Sequence, residues 1–360
     1  MTAIAAPALR PLSLVELLDR AIRLYRRNFL KFIAIIAVVQ LPLSLVTVLL
    51  SAFMMSPALA AAQPGAQPRT VTSDPFAALG PGYFGAACGT VVLAIFSFFL
   101  VQGLANAAMT RAIADNYLGE STGFMDAYRK IGPRLGAVIA VLLLYIALAV
   151  GLGLWTLVPC AGWLTGLGAA IFFGAVVFPL AIPAVVLEGK QPAAALRRAW
   201  DLARRRFWPT LGLVAVLVLF SFFIVSGPTY LLTYLFQLIA GNPLIHGNTA
   251  LYVVQVLIQS LTSLLFSLVY TPLQLVAMTL LYFDLRVRTE GFDLAWLAAG
   301  AAGQPGAAAE VAASAPPTET GNIVTWPEMA YFAVVTIGIG VLYAGLVGTI
   351  MGLAMLTLAR

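Results

Sequence analysis

Long runs of apolar residues alternate with short polar stretches along this chain. Hydrophobic residues make up 61% of the 360 and charged residues 9%, whereas soluble domains carry about 25% charged residues. A helix of roughly 20 apolar residues crosses a bilayer core. The runs therefore predict an all-α integral membrane protein with about seven transmembrane helices. We place these helices near residues 32–55, 84–109, 135–157, 163–187, 208–238, 252–282 and 327–357.

Amphipathic segments directly precede the first and the fifth of these runs. At 100° per residue, LVELLDRAIRLYRRNF (14–29) and LRRAWDLARRRF (196–207) each separate into an apolar arc and a basic arc. A basic amphipathic helix beside a membrane span is typical of the lipid headgroup layer. We expect anionic headgroups to contact the arginines of both segments. These are Arg20, Arg23, Arg26, Arg27, Arg197, Arg198, Arg204 and Arg205.

The amphipathic segment also marks an internal repeat. Three pseudo-repeats, near 12–119, 120–189 and 190–298, each read as an interfacial amphipathic helix followed by a helical hairpin. In the middle copy, Gly132-Pro133 is expected to end the short helix early. The predicted organisation is a six-span membrane domain (1–298), a cytoplasmic Ala/Gly/Pro linker (299–322) and an appended seventh transmembrane helix (323–360).

Charge predicts the orientation of these spans. With seven spans, the basic residues fall on one side of the membrane, except Arg69 and Arg360. The positive-inside rule makes the basic side cytoplasmic, which puts the N-terminus inside and the C-terminus outside. We predict no cleaved signal peptide, because no basic stretch leads into a short apolar core. A pI near 9.5 does not indicate nucleic acid, since the arginines lie beside spans and face lipid.

The seventh span carries glycines at helical spacing. Gly345, Gly348 and Gly352 share a face, and the last two form a GxxxG motif. Small residues allow another helix to approach closely. The approaching helix belongs either to this chain or, through self-association or a membrane-protein partner, to another.

The sequence contains no motif that indicates a catalytic site. The single histidine, His246, falls in a predicted outer loop, and no residues stand at metal-ligand spacing. We therefore expect no enzyme activity, catalytic residue, metal or cofactor. The spans carry amides and hydroxyls but no charge in their middles, and these groups either bond neighbouring helices or line a substrate cavity. They are Gln40, Gln102, Asn106, Gln255, Gln259, Ser260, Ser263, Ser267 and Gln274.

Two local features leave alternatives open. Cys88 and Cys160 fall near the outer ends of their spans, either as ordinary small apolar residues or as a disulfide. The run 208–238 contains Gly227-Pro228, so it either crosses the membrane once or ends in an interfacial turn.

Three segments carry a family resemblance: PLSLVELLDRAIRLYRRNFLKF (11–32), AALRRAWDLARRRFW (194–208) and LLYFDLRVRTEGFDLAWLA (280–298). Together they resemble the bacterial family called the glycerophosphoryl diester phosphodiesterase membrane domain, over about residues 10–298. The name comes from members in which this domain is fused to a phosphodiesterase barrel. The polar stretches here are too short for such a barrel of about 250 residues. The resemblance therefore implies the membrane domain without hydrolase activity.

These observations favour a non-enzymatic scaffold or accessory subunit of the bacterial cytoplasmic (inner) membrane. Such a protein would contact lipids and other membrane proteins through its helices. The alternative is a carrier or flippase-like protein for a lipid or small amphiphile, which would use the polar sixth span and the proline-broken helices.

Overall fold

The computed structural model describes residues 10–61, 81–118, 123–242, 248–301 and 324–358. Regular structure in these ranges is helical, with no strand among the described residues. Seven helices are long and apolar enough to cross a membrane, which confirms an all-α, multi-pass membrane protein. Their bounds are Phe29–Leu50, Cys88–Tyr117, Phe124–Trp155, Ala161–Val186, Phe207–Ala240, Ala250–Glu290 and Trp326–Thr349.

Fourteen α-helices make up the described chain, and we number them in order. Three π-helical segments (Phe99–Ala105, Phe173–Val177 and Phe222–Ser226) continue α3, α7 and α10 directly into the next helix. The α-helices are α1 Leu14–Arg27, α2 Phe29–Ala61, α3 Pro81–Phe98, α4 Asn106–Tyr117, α5 Phe124–Ile131, α6 Leu135–Trp155, α7 Ala161–Phe172, α8 Phe178–Val186, α9 Pro192–Arg204, α10 Phe207–Ser221, α11 Gly227–Ala240, α12 Thr249–Glu290, α13 Phe292–Ala301 and α14 Trp326–Leu358.

Short amphipathic helices stand at the three places where the repeat predicts them, as α1, α5 and α9. Helix α5 ends at Ile131, and a 3₁₀ turn over Gly132–Arg134 leads into α6. This confirms the predicted early end. In the fifth run, by contrast, helix continues from Phe207 to Ala240, because the π-helical segment Phe222–Ser226 joins α10 directly to α11, in whose first turn Pro228 lies. The structure therefore has no interfacial turn at this point.

Helix α1 begins at a complete capping box. The Glu16 amide donates to Ser13 Oγ at 3.3 Å, and the Ser13 amide donates to Glu16 Oε2 at 3.0 Å. Glu16 also pairs with Arg10 at 2.7 Å. The Ser13 hydrogen bond and the Arg10 charge lower the pKa of the Glu16 carboxyl below its usual 4.5. The start of α1 is thus determined by residues within one helical turn.

Two compact units share the described chain: residues 1–139 with 215–284, here unit 1, and residues 140–214 with 285–360, here unit 2. The sequence-based division at 298 and 323 stays a prediction, since the linker 299–322 lies almost wholly outside the described residues.

In unit 1, hydrogen bonds fix the short helices to the long ones. Tyr25 Oη of α1 donates to the Val269 carbonyl of α12 at 2.8 Å. The Leu12 amide, just before α1, donates to Asp284 Oδ1 at 2.7 Å. The apolar side of α1, with Leu17 and Ala21, is buried. The apolar face of α1 therefore packs in part on protein rather than wholly on lipid.

In unit 2, the seventh helix packs closely on the fourth span. The Gly168 amide of α7 donates to Thr336 Oγ1 of α14 at 2.9 Å. A Cβ built on Gly168 would lie 2.1 Å from the Phe332 carbonyl oxygen, so only glycine fits there. The Phe332 ring lies 6.2 Å from the buried Trp200 ring of α9. The appended span is thus part of a packed core.

The turn before α7 is strained. Cys160 has φ +61° and ψ −66°, and the Ala161 amide donates to the Pro159 carbonyl at 2.7 Å. These are the features of a γ-turn that L-residues rarely adopt. Cys160 and Cys88 are both free, exposed thiols.

Candidate functional site

The arginines of α1 differ in the partners they have. Arg23 pairs with Asp19 at 2.8 Å. Arg20 is partly buried and interacts with Tyr117. Arg26 and Arg27 are exposed, and the described part of the chain gives neither a side-chain partner. The C-terminal turn of α1 therefore presents two guanidinium groups to the surroundings.

The arginines of α9 are mostly engaged within unit 2. Asp201 binds both Arg197 and Arg204, each at 3.2 Å. Arg205 is exposed. Arg198 is 6% exposed, because its guanidinium binds carboxylates of neighbouring elements. Headgroup contact stays a prediction for the basic set, but the charge of Arg198 is already matched inside the protein.

Three buried charged residues and the partly buried Glu290 form a group that we call the ion-pair cluster: Glu188, Arg198, Arg286 and Glu290. Arg198 Nε and Nη2 donate to the two oxygens of Glu188 at 3.1 and 3.2 Å, and Nη2 also donates to Glu290 Oε2 at 2.8 Å. Arg286 Nε lies 3.3 Å from Glu188 Oε1 and 3.4 Å from Glu290 Oε2. The cluster contains two cations and two anions and is neutral as a whole.

The ion-pair cluster joins α9 to the ends of two spans. Glu188 follows α8, whereas Arg286 and Glu290 occupy the last turns of α12. The Arg286 guanidinium also lies 4.3 Å from the Phe292 ring centroid, a cation–π geometry. Sequence reasoning missed Glu188, Arg286 and Glu290 as a set. A usable signal was the position of each of them at a span end, where charges can reach one another.

The seventh helix exposes its glycine face within the described part of the chain. Nothing lies within 4 Å of a Cβ built on Gly345 or Gly348. Gly352 lies in α14, but its surroundings fall outside the described residues. The contact between α7 and α14 uses Gly168 instead, as described above. Gly345 and Gly348 are thus not the glycines that pack α14 on its own unit.

A cavity of about 490 Å³ lies in unit 1 between α2, the α3–π segment, the π–α11 segment and α12. Its volume falls in the range of small-ligand pockets, roughly 300–1,000 Å³. Hydroxyl and amide groups dominate its polar lining. They belong to Gln40, Ser44, Thr47, Ser97, Ser226, Thr229, Tyr230, Gln259, Ser260, Ser263 and Ser267.

One of the polar span residues, Gln40, bonds a neighbouring helix and also lines the cavity, whereas a substrate for the cavity stays a prediction. Gln40 Nε2 of α2 donates to Ser267 Oγ of α12 at 2.7 Å, and both residues also line the cavity. Gln102 instead accepts from Asn106 Nδ2 at 2.6 Å, one helical turn away. Gln274 is absent from the cavity lining.

Metal-ligating groups do not converge in the described ranges. No group of three or more His, Cys, Asp and Glu side chains there could hold a metal ion. Asp115 pairs with Arg111 at 3.0 Å and Lys130 at 2.6 Å, as local interfacial pairing predicts. His246 lies outside the described residues.

Residues 159–293 match the family model described as "Membrane domain of glycerophosphoryl diester phosphodiesterase". The match confirms the suspected family over this segment, which includes α9 and the ion-pair cluster. It covers less than half of the chain and leaves out α1 and the seventh helix. Comparison with the curated proteins and with the solved structures gives no match.

Proposed function

We propose that this multi-pass membrane protein is a non-enzymatic scaffold or accessory subunit of the bacterial inner membrane. In this proposal its N-terminus is cytoplasmic, and it contacts anionic lipids and other membrane proteins. The observation that carries the proposal is the pair of exposed, unpartnered guanidinium groups of Arg26 and Arg27. They project from a helix held by a capping box and by the Tyr25–Val269 hydrogen bond.

Because α1 is held in place, the charges of Arg26 and Arg27 are effective in binding an anionic lipid surface. Each Lys or Arg near an anionic surface contributes on the order of 1 kcal/mol, about a fivefold change in affinity. Arg23, on the same helix, already has Asp19 as its counter-ion. Its contribution to lipid binding should therefore be smaller.

The lipid test compares Arg26→Gln with the matched control Arg23→Gln in the full chain. The protein is reconstituted in nanodiscs of phosphatidylcholine with phosphatidylglycerol, and the number of bound phosphatidylglycerol molecules is counted by native mass spectrometry. Arg26→Gln should weaken phosphatidylglycerol retention about fivefold and Arg23→Gln by less than twofold. Equal effects of the two variants, or no effect of Arg26→Gln, would refute the role of the unpaired charges.

The scaffold role is tested at the glycine face of the seventh helix. Gly348→Leu adds bulk where a built Cβ has no neighbouring atom within 4 Å, and Gly340→Leu does the same on another face of α14. If this face binds a second helix, Gly348→Leu should abolish a complex that survives purification in mild detergent, whereas Gly340→Leu, away from the glycine face, should keep it. A monodisperse monomer for the unsubstituted chain would count against the scaffold role.

The non-enzymatic part of the proposal has its own assay. Purified protein is incubated with phosphatidylglycerol, phosphatidylethanolamine and a glycerophosphodiester. The products are then followed by mass spectrometry. Turnover by the pure protein that persists after removal of contaminating hydrolases would overturn this part.

A carrier for a lipid or small amphiphile is the second candidate function, and the polar cavity of unit 1 favours it. Such a carrier should show substrate-dependent flux in proteoliposomes. Gln259 lines the cavity and Gln274 does not, so Gln259→Leu should reduce flux while Gln274→Leu, the same change on the same helix, leaves it intact. Equal flux in both variants would remove the cavity from the transport path.

A further inference from the structure

The cavity of unit 1 combines many hydrogen-bonding groups with no formal charge. Among the described residues, its polar lining consists of serine, threonine, glutamine and one tyrosine, with no Asp, Glu, Lys, Arg or His. A charged head entering it would give up hydration without gaining a counter-ion, which costs several kcal/mol per ion. An uncharged polar group would exchange water for hydroxyl and amide partners at little cost. An uncharged polar group therefore matches this lining better than a charged one.

Several lining groups have hydrogen-bonding capacity to spare. The hydroxyls of Ser97, Ser226 and Ser263 and the amide of Gln259 have no hydrogen-bond partner among the described residues. Thr229 and Ser267, by contrast, donate to carbonyls of their own helices. Unpaired polar groups within membrane-spanning helices are costly in hydrocarbon. None of these four residues is buried, so their polar atoms are open to an occupant that donates and accepts hydrogen bonds.

Backbone irregularities border the same cavity. Val101 belongs to the π-helical segment Phe99–Ala105, and Val225 and Ser226 belong to Phe222–Ser226. Single π-helical turns are rare and occur frequently at functional sites. Two of them thus border one cavity within a single unit.

We propose that this cavity binds the uncharged, hydroxyl-bearing head of an amphiphile. The head bonds to the serine hydroxyls and to Gln259, and the acyl tail packs on lining apolar residues such as Leu43, Val48 and Leu264. This inference rests on the second candidate function, for which it names the ligand class. It is independent of the anionic lipid contact proposed for Arg26 and Arg27.

The test uses two probes that differ by a phosphate. Monooleoylglycerol and oleoyl lysophosphatidic acid share one oleoyl chain and a glycerol unit, but only the second is anionic. Binding of each to the purified full chain in mild detergent is measured by native mass spectrometry. Monooleoylglycerol should bind, and a tenfold excess of lysophosphatidic acid should not displace it. Displacement at equal concentration would overturn the proposed selectivity.

Variants connect the binding to the cavity. Ser263→Ala removes one hydroxyl without adding bulk, and Gln259→Leu removes the amide. Each should weaken monooleoylglycerol binding about three- to tenfold. Ser263→Phe fills the cavity and should abolish binding, whereas Gln274→Leu should leave it unchanged. Unchanged binding in Ser263→Ala and Gln259→Leu would overturn the inference, and because these two changes are mild, a folding defect of Ser263→Phe does not remove the test.

The carrier function and the proposed binding site can fail independently of each other. If monooleoylglycerol binds with the stated variant pattern but shows no flux in proteoliposomes, the carrier function fails and the binding site stands. If flux occurs but no cavity variant alters monooleoylglycerol binding, the carrier function stands and the cavity is not the binding site.

Discussion

Removing one carboxylate from the ion-pair cluster should strongly destabilise unit 2. The change is Glu188→Gln, which keeps the side-chain volume but leaves two guanidinium groups to share the single carboxylate of Glu290. The Glu188 side chain is fully buried, and those of Arg198 and Arg286 are 7% and 2% exposed. Solvent therefore cannot screen the excess positive charge.

The size of the effect follows from this burial. Breaking a buried ion pair by removing one partner typically costs about 3–5 kcal/mol, because the remaining charge is buried without compensation. Glu188 accepts a bidentate contact from Arg198 and a further one from Arg286, so the upper half of this range is expected. The free energy of unfolding should fall by about 4 kcal/mol. The double change Glu188→Gln with Arg198→Gln restores neutrality and should cost about 1–3 kcal/mol less than the sum of the single changes.

The assay is equilibrium unfolding of the full chain in mixed detergent micelles, with tryptophan fluorescence as the signal. Trp200 lies in the buried ring cluster of unit 2, stacked on Phe173 at 4.9 Å between ring centroids, and makes a suitable reporter. Arg23→Gln is the control, since it breaks an exposed pair worth at most about 1 kcal/mol. A loss below 1 kcal/mol for Glu188→Gln, or simple additivity in the double variant, would refute the reasoning.

Three further outcomes follow from local geometry and are measured by the same unfolding assay unless stated otherwise. Gly168→Ala should destabilise by about 1–3 kcal/mol, because its Cβ would meet the Phe332 carbonyl oxygen, whereas Gly338→Ala, in open space, should be neutral or stabilising by up to about 1 kcal/mol. Cys160→Gly should stabilise by about 1 kcal/mol by relieving the positive φ, and Cys160→Ala should not. The pKa of Glu16 is lowered in the folded state, so its contribution to stability is present above pH 4.5 and is lost as the pH falls below 4.5 through the lowered value. Hydrogen exchange at the start of α1 should accelerate over this acidic range. Glu16→Gln should remove this pH dependence.

Local features of the sequence were sufficient to predict the seven spans, whereas α13 was not predicted and α12 continues through Pro272 instead of breaking there. A membrane span is determined by the apolar run itself, and the early end of α5 by Gly132-Pro133. Pro228 shows the limit of such reasoning, because the same Gly-Pro pair either ends a helix or opens its first turn. Which of these occurs depends on whether the preceding residues can continue the helix. Here the π-helical segment Phe222–Ser226 connects α10 directly with α11.

The rest of the candidate site depends on contacts between residues that are far apart in the sequence. The helical wheel places Arg198 on the polar arc of α9, which predicts lipid contact. Its carboxylate partners are Glu188, ten residues away, and Glu290, ninety-two residues away. A periodicity argument separates apolar from polar positions but cannot distinguish a solvated charge from a buried, paired one. The same limit applies to the cavity. Gln259 and Gln274 are both amides of α12, but only Gln259 lines the cavity.

The two best copies of the amphipathic repeat therefore serve different purposes. In α1, Glu16 is used in the cap and Asp19 binds Arg23, so no carboxylate of the helix remains for Arg26 and Arg27. In α9, Asp201 and the carboxylates at the span ends match most of the cations. Charges that are already paired gain little from an anionic surface, because their partners would have to be given up first. Of these two helices, α1 should accordingly contribute more to any salt-dependent attraction to anionic lipid, while the paired arginines of α9 connect parts of unit 2.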